Sequence, residues 1–195
     1  MTDRFEWLKT EVVYQEKRSD ELRWIVTNET IKDKQTETIF SRSLLRHPGV
    51  ASVAAINDKD EILLIEQFRY TFKAMMWEIP TGTLHGELKG NQVVAIESPQ
   101  LAAARELSEE AGYSATRFEL AQSFCVMPGT SDGYVYLFLA FGLTPKFAPT
   151  DIGEVVTKVK FFPINQALDM ISQGEIFDAK TIIGIYAAKN YLERL

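Results

Sequence analysis

The chain has 195 residues, 46% of them hydrophobic and 25% charged, which is the make-up of one globular domain, or one domain with a small extension, able to bury a core. Its 21 basic and 27 acidic residues leave a net charge of −6, which argues against a protein that coats nucleic acid or lies on an anionic membrane surface. A lone cysteine, Cys125, excludes an internal disulfide and a thiolate metal site.

The N-terminal stretch MTDRFEWLKT has no apolar segment, and no apolar run approaches the ~18 residues of a membrane span. Neither a signal peptide nor a spanning helix is expected, and a reducing cytoplasm is the expected home. Residues 5–45 mix aromatic and β-branched side chains with charges and predict strands with one wet face, which must pair with the main sheet or with a second subunit. His47-Pro48-Gly49 is a turn. Residues 50–56 form an apolar strand, and residues 57–60 turn it back onto a hairpin partner over 62–68. Trp77-Glu78-Ile79-Pro80 is a short strand closed by Thr81-Gly82, and residues 83–97, with Gly86 and Gly90, read as a loop.

Ser98 suits a helix N-cap and Pro99 the first helical position, where its missing N–H costs nothing. Leu101, Ala104, Leu107 and Ala111 predict the buried stripe of that helix, and Gly112 its end, with the acidic face turned to solvent or a cleft. Strands follow over 118–126 and 134–141, then a Pro-rich and acidic loop over 145–154, a strand over 155–161, a helix over 163–173 and a final helix capped by Asp178. The order predicts an α+β sandwich with helices packed on a mixed sheet.

The helix at 99–111 carries Glu106, Glu109 and Glu110, which at ~100° per residue fall within an arc of roughly 100°. Like charges at these spacings repel, and a helix C-terminus disfavours anions, so the helix gains nothing from the cluster. Arg105 alone cannot balance it. Hard divalent cations, Mg²⁺ or Mn²⁺, are the partners that carboxylate oxygens select. The plain alternative is an acidic solvated face with an Arg105–Glu109 pair.

The pattern Glu97-x7-Arg105-Glu106-Leu107-x-Glu109-Glu110-x-Gly112 resembles the signature of the Nudix hydrolases, with Asn91 where its leading glycine would stand. Trp77-Glu78-Ile79-Pro80-Thr81-Gly82 resembles the strand that ends in that glycine in the ADP-ribose pyrophosphatase branch, which makes residues 83–96 an insertion. Gly49-Val50-Ala51, Glu66-Gln67-Phe68-Arg69 and Pro128-Gly129-Thr130-Ser131 are similar to that branch's landmarks, in the same order. The resemblance implies a Nudix α/β/α sandwich over 47–195, preceded by an N-terminal strand extension over 1–46 that serves dimerisation and base stacking. It implies hydrolysis of ADP-ribose or a related nucleoside diphosphate sugar by a homodimer. The alternatives are another nucleotide sugar such as GDP-mannose, or a sensing domain that binds ADP-ribose or NAD without cleaving it.

On the same resemblance, Glu106, Glu109, Glu110 and the Thr81 carbonyl hold the metal, and Arg69 clamps the diphosphate. Glu78 orients Arg69, reaches the metals, or is only a sheet-edge carboxylate. The proton acceptor is Glu154, in a loop that Gly153 frees to move, or Glu109; the glutamate some relatives carry after Pro-Gly is Gly133 here. Trp7 and Trp24 either stack on the base or fill a core or interface. No nucleic acid and no membrane enters as a partner.

Overall fold

The computed structural model describes residues 2–18, 21–149 and 155–194. They form two compact units, one made of Met1–Gly49, Thr83–Glu97 and Cys125–Tyr134, the other of Val50–Gly82, Ser98–Phe124 and Val135–Leu195.

The first unit is built on long strands: β1 (Phe5–Arg18), β2 (Glu21–Asp33) and β3 (Thr38–Arg46). β2 runs antiparallel to β1 and β3, and its alternation buries Leu22, Ile25 and Ile31 together with the polar Thr27, Glu29 and Asp33. Period-2 patterning was enough to predict these strands. Residues 83–97, expected as a loop, instead contain a hairpin, β8 (Gly86–Lys89) and β9 (Gln92–Ala95), joined by Gly90-Asn91. A two-residue turn of that composition closes a tight hairpin, and the Leu22–Gly86 pairing extends the β2 sheet through it.

Arg4 and Asp33 close the open end of this sheet. Arg4 Nε donates to Asp33 Oδ1 at 3.0 Å and Nη2 to Oδ2 at 2.6 Å. These side-chain bonds from Arg4 outweigh the opposing effect of burial, and with the Gln35 N–H they pull the Asp33 carboxyl down to about 2. A carboxyl depressed in the folded state stabilises above its unfolded value and loses that contribution as pH falls through the folded value. Thermal midpoints are therefore expected to drop between pH ~4 and ~2 in the wild type and to flatten over that window in Asp33→Asn.

The second unit holds β4 (Val50–Ala55), β5 (Glu61–Arg69), β6 (Ala74–Glu78), β7 (Thr81–Thr83), β10 (Tyr113–Cys125), β11 (Tyr134–Pro145) and β12 (Val156–Pro163), apart from the terminal residues Thr83, Cys125 and Tyr134. Among the described residues one sheet runs β10-β11-β4-β7 and another β12-β5-β6. β11 and β4 are parallel, whereas β5 pairs antiparallel with both β12 and β6, so the unit combines parallel and antiparallel pairing. The predicted 50–56/62–68 hairpin does not form. Both edges of β4 are taken by β11 and β7, and both edges of β5 by β12 and β6, which leaves a single bridge between Ile56 and Ile62.

Three helices, α1 (Pro99–Ala111), α2 (Ile164–Ser172) and α3 (Ala179–Leu192), complete the unit. Ile62, Leu64, Ile79, Leu137, Phe162 and Ile185 lie at the centre of its core. None of the described helices is long and apolar enough to cross a membrane. The α3 N-cap is Asp178, whose Oδ2 accepts from the Thr181 N–H at 2.9 Å and from Thr181 Oγ1 at 2.7 Å. Thr181 Oγ1 in turn accepts the Ile79 N–H at 3.0 Å, which fixes the chain just before Pro80 and Thr81.

Candidate metal centre

The α1 helix starts and stops where its sequence says it should. Ser98 accepts the Leu101 N–H at 3.3 Å, Pro99 follows, and Gly112 closes the helix at φ 72°, a left-handed conformation that suits glycine. Its buried face differs from the expected stripe. Leu101 is 65% exposed, and the buried residues are Ala102, Ala103, Glu106, Leu107, Ser108, Glu110 and Ala111. Alanines at 102 and 103 let the helix lie close on β4, which turns Glu106 and Glu110 inward and Leu101 out. The acidic face is therefore not a solvated one: each of these two carboxylates is 4% exposed.

What receives them is the segment leaving β6. Glu110 Oε2 accepts the Thr81 N–H at 2.7 Å, and Oε1 accepts Gln67 Nε2 at 3.1 Å. Thr81 is held by its own hydroxyl, which lies 3.0 Å from Ser52 Oγ and 3.0 Å from the Ile79 carbonyl. The carboxylate of Glu106 occupies the space a side chain at position 82 would need: a Cβ on Gly82 would sit 1.6 Å from Glu106 Oε1. Glycine is required there for close approach. Arg105 Nη1 donates to Glu106 Oε1 at 2.5 Å and to Glu109 Oε2 at 3.1 Å, so one guanidinium nitrogen serves two carboxylates, the Arg105–Glu109 pair included.

The β5–β6 hairpin adds a cation. Arg69 Nε donates to Glu78 Oε1 at 2.7 Å and Nη2 to Glu78 Oε2 at 2.6 Å, while Glu78 is 1% exposed. Burial acts to lower the Arg69 pKa, but the Glu78 hydrogen bonds and the charges of Glu78, Glu110 and Asp178 outweigh it and leave the pKa raised. Arg69 thus stays charged within the field of Glu110. Glu78 therefore pairs with Arg69 through both of its carboxylate oxygens.

Among the described residues no three His, Cys, Asp or Glu side chains converge as a closed metal cage. Mg²⁺ does not demand one, since it is commonly held by one or two carboxylates, water and substrate phosphates. The oxygens present suit such a cation: two buried carboxylates meet at a strand end with no side chain in the way, and the buried Gln67 Oε1 beside Glu110 has no hydrogen-bond partner. Gln67 is the residue that sequence reasoning passed over. Its signal was a polar side chain on the inward face of an apolar strand, in step with Leu63 and Ile65.

Glu106, Glu109, Glu110, Thr81, Arg69 and Glu78 all belong to the second unit. Trp7 and Trp24 belong to the first. Trp7 is 56% exposed, with Nε1 donating to Glu29 Oε2 at 2.6 Å, and the Trp24 ring lies 5.4 Å from that of Tyr14. Glu154 lies outside the described residues.

The family model for the NUDIX domain matches residues 45–183. The chain is 36% identical over 146 residues to a methanol dehydrogenase activator of Bacillus methanolicus, covering 74% of each chain. It is 33% identical over 145 residues to an ADP-ribose pyrophosphatase of Bacillus subtilis, again covering 74% of each, and 26% identical over 165 residues to a GDP-mannose pyrophosphatase of Yersinia pestis, covering 80% of this chain and 76% of that one. A crystal structure of an ADP compounds hydrolase superposes with a TM-score of 0.76 at 16% identity, over 98% of this chain and 95% of that one, and so shares the fold. Glutamates gathered where a helix meets the short strand that carries Gly82, within a matched span that covers most of the chain, place this protein among the Nudix hydrolases, in their ADP-ribose pyrophosphatase-like branch.

Proposed function

We propose that the protein hydrolyses the pyrophosphate bond of a nucleoside diphosphate sugar, with ADP-ribose as substrate and AMP and ribose 5-phosphate as products. The observation that carries this reading is the pair of buried carboxylates, Glu106 and Glu110, set against Thr81 and Gly82. The ADP-ribose pyrophosphatase relatives at 33% identity support the choice of substrate, and the more distant GDP-mannose pyrophosphatases keep that sugar nucleotide as the second reading.

Glu106, Glu110, Glu109 and the Thr81 carbonyl would hold Mg²⁺ or Mn²⁺. Such a cation, when bound, neutralises phosphate oxygens and lowers the pKa of a bound water. The protein's own part is positioning. Arg69, with its Nε edge committed to Glu78, keeps further N–H groups for a diphosphate oxygen. The attacking water forms the new P–O bond as the bridging P–O bond breaks, and its proton passes to Glu154 or Glu109. Glu109 is the more exposed of the helix carboxylates, with 21% of its side chain open to solvent.

Trp7 is the candidate base-stacking side chain of the first unit, since its indole face is open while its N–H is engaged by Glu29. Trp24, already against Tyr14, is the second. The edge strand β1 also exposes Leu8, Val13 and Tyr14, which supports assembly as a homodimer. The single free cysteine suits a cytoplasmic protein.

The test is a panel of nucleoside diphosphate derivatives with Mg²⁺, reading released phosphomonoester. ADP-ribose is expected to be cleaved fastest, with no turnover in excess chelator. Preference for GDP-mannose would select the second reading. Failure to cleave any member, at any metal concentration, would leave binding without hydrolysis as the activity.

A further inference from the structure

β5 ends by burying an amide that an apolar strand has no need of. Gln67 is 3% exposed, and its Nε2 donates to Glu110 Oε1 at 3.1 Å. Its carbonyl, at the other end of the same planar amide, is buried without a hydrogen-bond partner. The amide's orientation is set by Glu110: turned over, it would point one acceptor at another. Buried acceptors in folded proteins nearly always find a donor, so one left over beside the buried Glu110 carboxylate marks a place for a group that brings protons.

Glu110 is also held from two sides. The Gln67 amide from β5 takes one oxygen and the Thr81 N–H from β7 takes the other, with Thr81 itself braced on Ser52, which is fully buried. Both donors are neutral. They fix the carboxylate in direction without cancelling its charge, which is what a cation ligand requires of its surroundings.

We propose that Gln67 is a positioning residue of the cation site: its Nε2 orients Glu110, and its Oε1 accepts a hydrogen bond from water bound to the cation. This rests on the reading of Glu106 and Glu110 as cation ligands. A purely structural glutamine would need a donor for its carbonyl from within the fold, and the described residues supply none.

The experiment measures Mn²⁺ binding to the nucleotide-free protein by electron paramagnetic resonance, and urea unfolding of the metal-free protein, in wild type, Gln67→Leu, Gln67→Met and Glu110→Gln. Both Gln67 variants are expected to raise the Mn²⁺ Kd by ~10- to 100-fold. Their metal-free unfolding midpoints are expected to fall no further than that of Glu110→Gln, because loss of the Gln67–Glu110 hydrogen bond is offset in part by removal of the unpartnered buried carbonyl. A Kd indistinguishable from wild type in the Gln67 variants, with Glu110→Gln weakened, overturns this inference alone. Mn²⁺ binding unchanged in Glu110→Gln overturns the underlying reading of the site. Failure of both Gln67 variants to fold shows a structural glutamine and also overturns the inference.

Discussion

Glu110→Gln is expected to lower kcat by about three orders of magnitude, in keeping with the several kcal/mol that cation-dependent charge stabilisation contributes to such reactions. The substitution changes one atom, yet the geometry makes it demanding. Both Glu110 oxygens already accept, one from the Thr81 N–H and one from Gln67 Nε2. An amide at position 110 must turn its own NH₂ towards one of these donors and lose that hydrogen bond. A metal-free stability loss of about 1–3 kcal/mol should accompany the loss of turnover. Circular dichroism should still report the native fold, because the α1 caps at Ser98 and Gly112 and its alanine face on β4 are untouched. Near-wild-type turnover in a folded Glu110→Gln protein would remove Glu110 from the cation site.

Gly82→Ala should cost almost as much by a different route. The new methyl would sit 1.6 Å from Glu106 Oε1 and 1.9 Å from its Cδ, so the carboxylate has to leave. Glu106 ends a flexible side chain, and swinging it aside is cheaper than moving β7 off β4. The fold is therefore expected to persist while the carboxylate is displaced by more than an ångström. Misplacement on that scale typically costs ~10²-fold in rate. Steady-state kinetics at saturating Mg²⁺ should show the loss in kcat, and a Mn²⁺ titration should show weaker binding. Retention of both would mean that Glu106 does not need the space beside Gly82.

The two substitutions separate the charge of a ligand from its placement. In Glu110→Gln the atoms stay and the charge goes; in Gly82→Ala the charge stays and the atoms move. A site that used these carboxylates only as packing would tolerate the second change by repacking and would lose no affinity for the cation.

Much of this was legible before any coordinates. Ser98, Pro99 and Gly112 mark the ends of α1 because capping and backbone conformation are settled by a few adjacent residues. Asp178 marks the start of α3 for the same reason. The spacing of Glu106, Glu109 and Glu110 put three carboxylates on one face from helix geometry alone, and the motifs around them pointed to the family.

Other features depended on partners far along the chain. Residues 86–95 became a hairpin because the β2 sheet offered Leu22 as a pairing partner for Gly86. The strands β4 and β5 parted because both edges of each were claimed by other strands. Most consequential, a helical wheel cannot say which side of α1 is covered. Small residues at 102 and 103 let the helix settle on β4, so the interior took the glutamates and solvent took Leu101. Sequence by itself thus determined that a carboxylate cluster exists and what kind of ion it suits, since both follow from local spacing and ligand chemistry. Only the tertiary structure decided that Glu106 and Glu110 are buried, that Gly82 makes room for one and Gln67 steers the other, because those are matters of packing between segments distant in the chain.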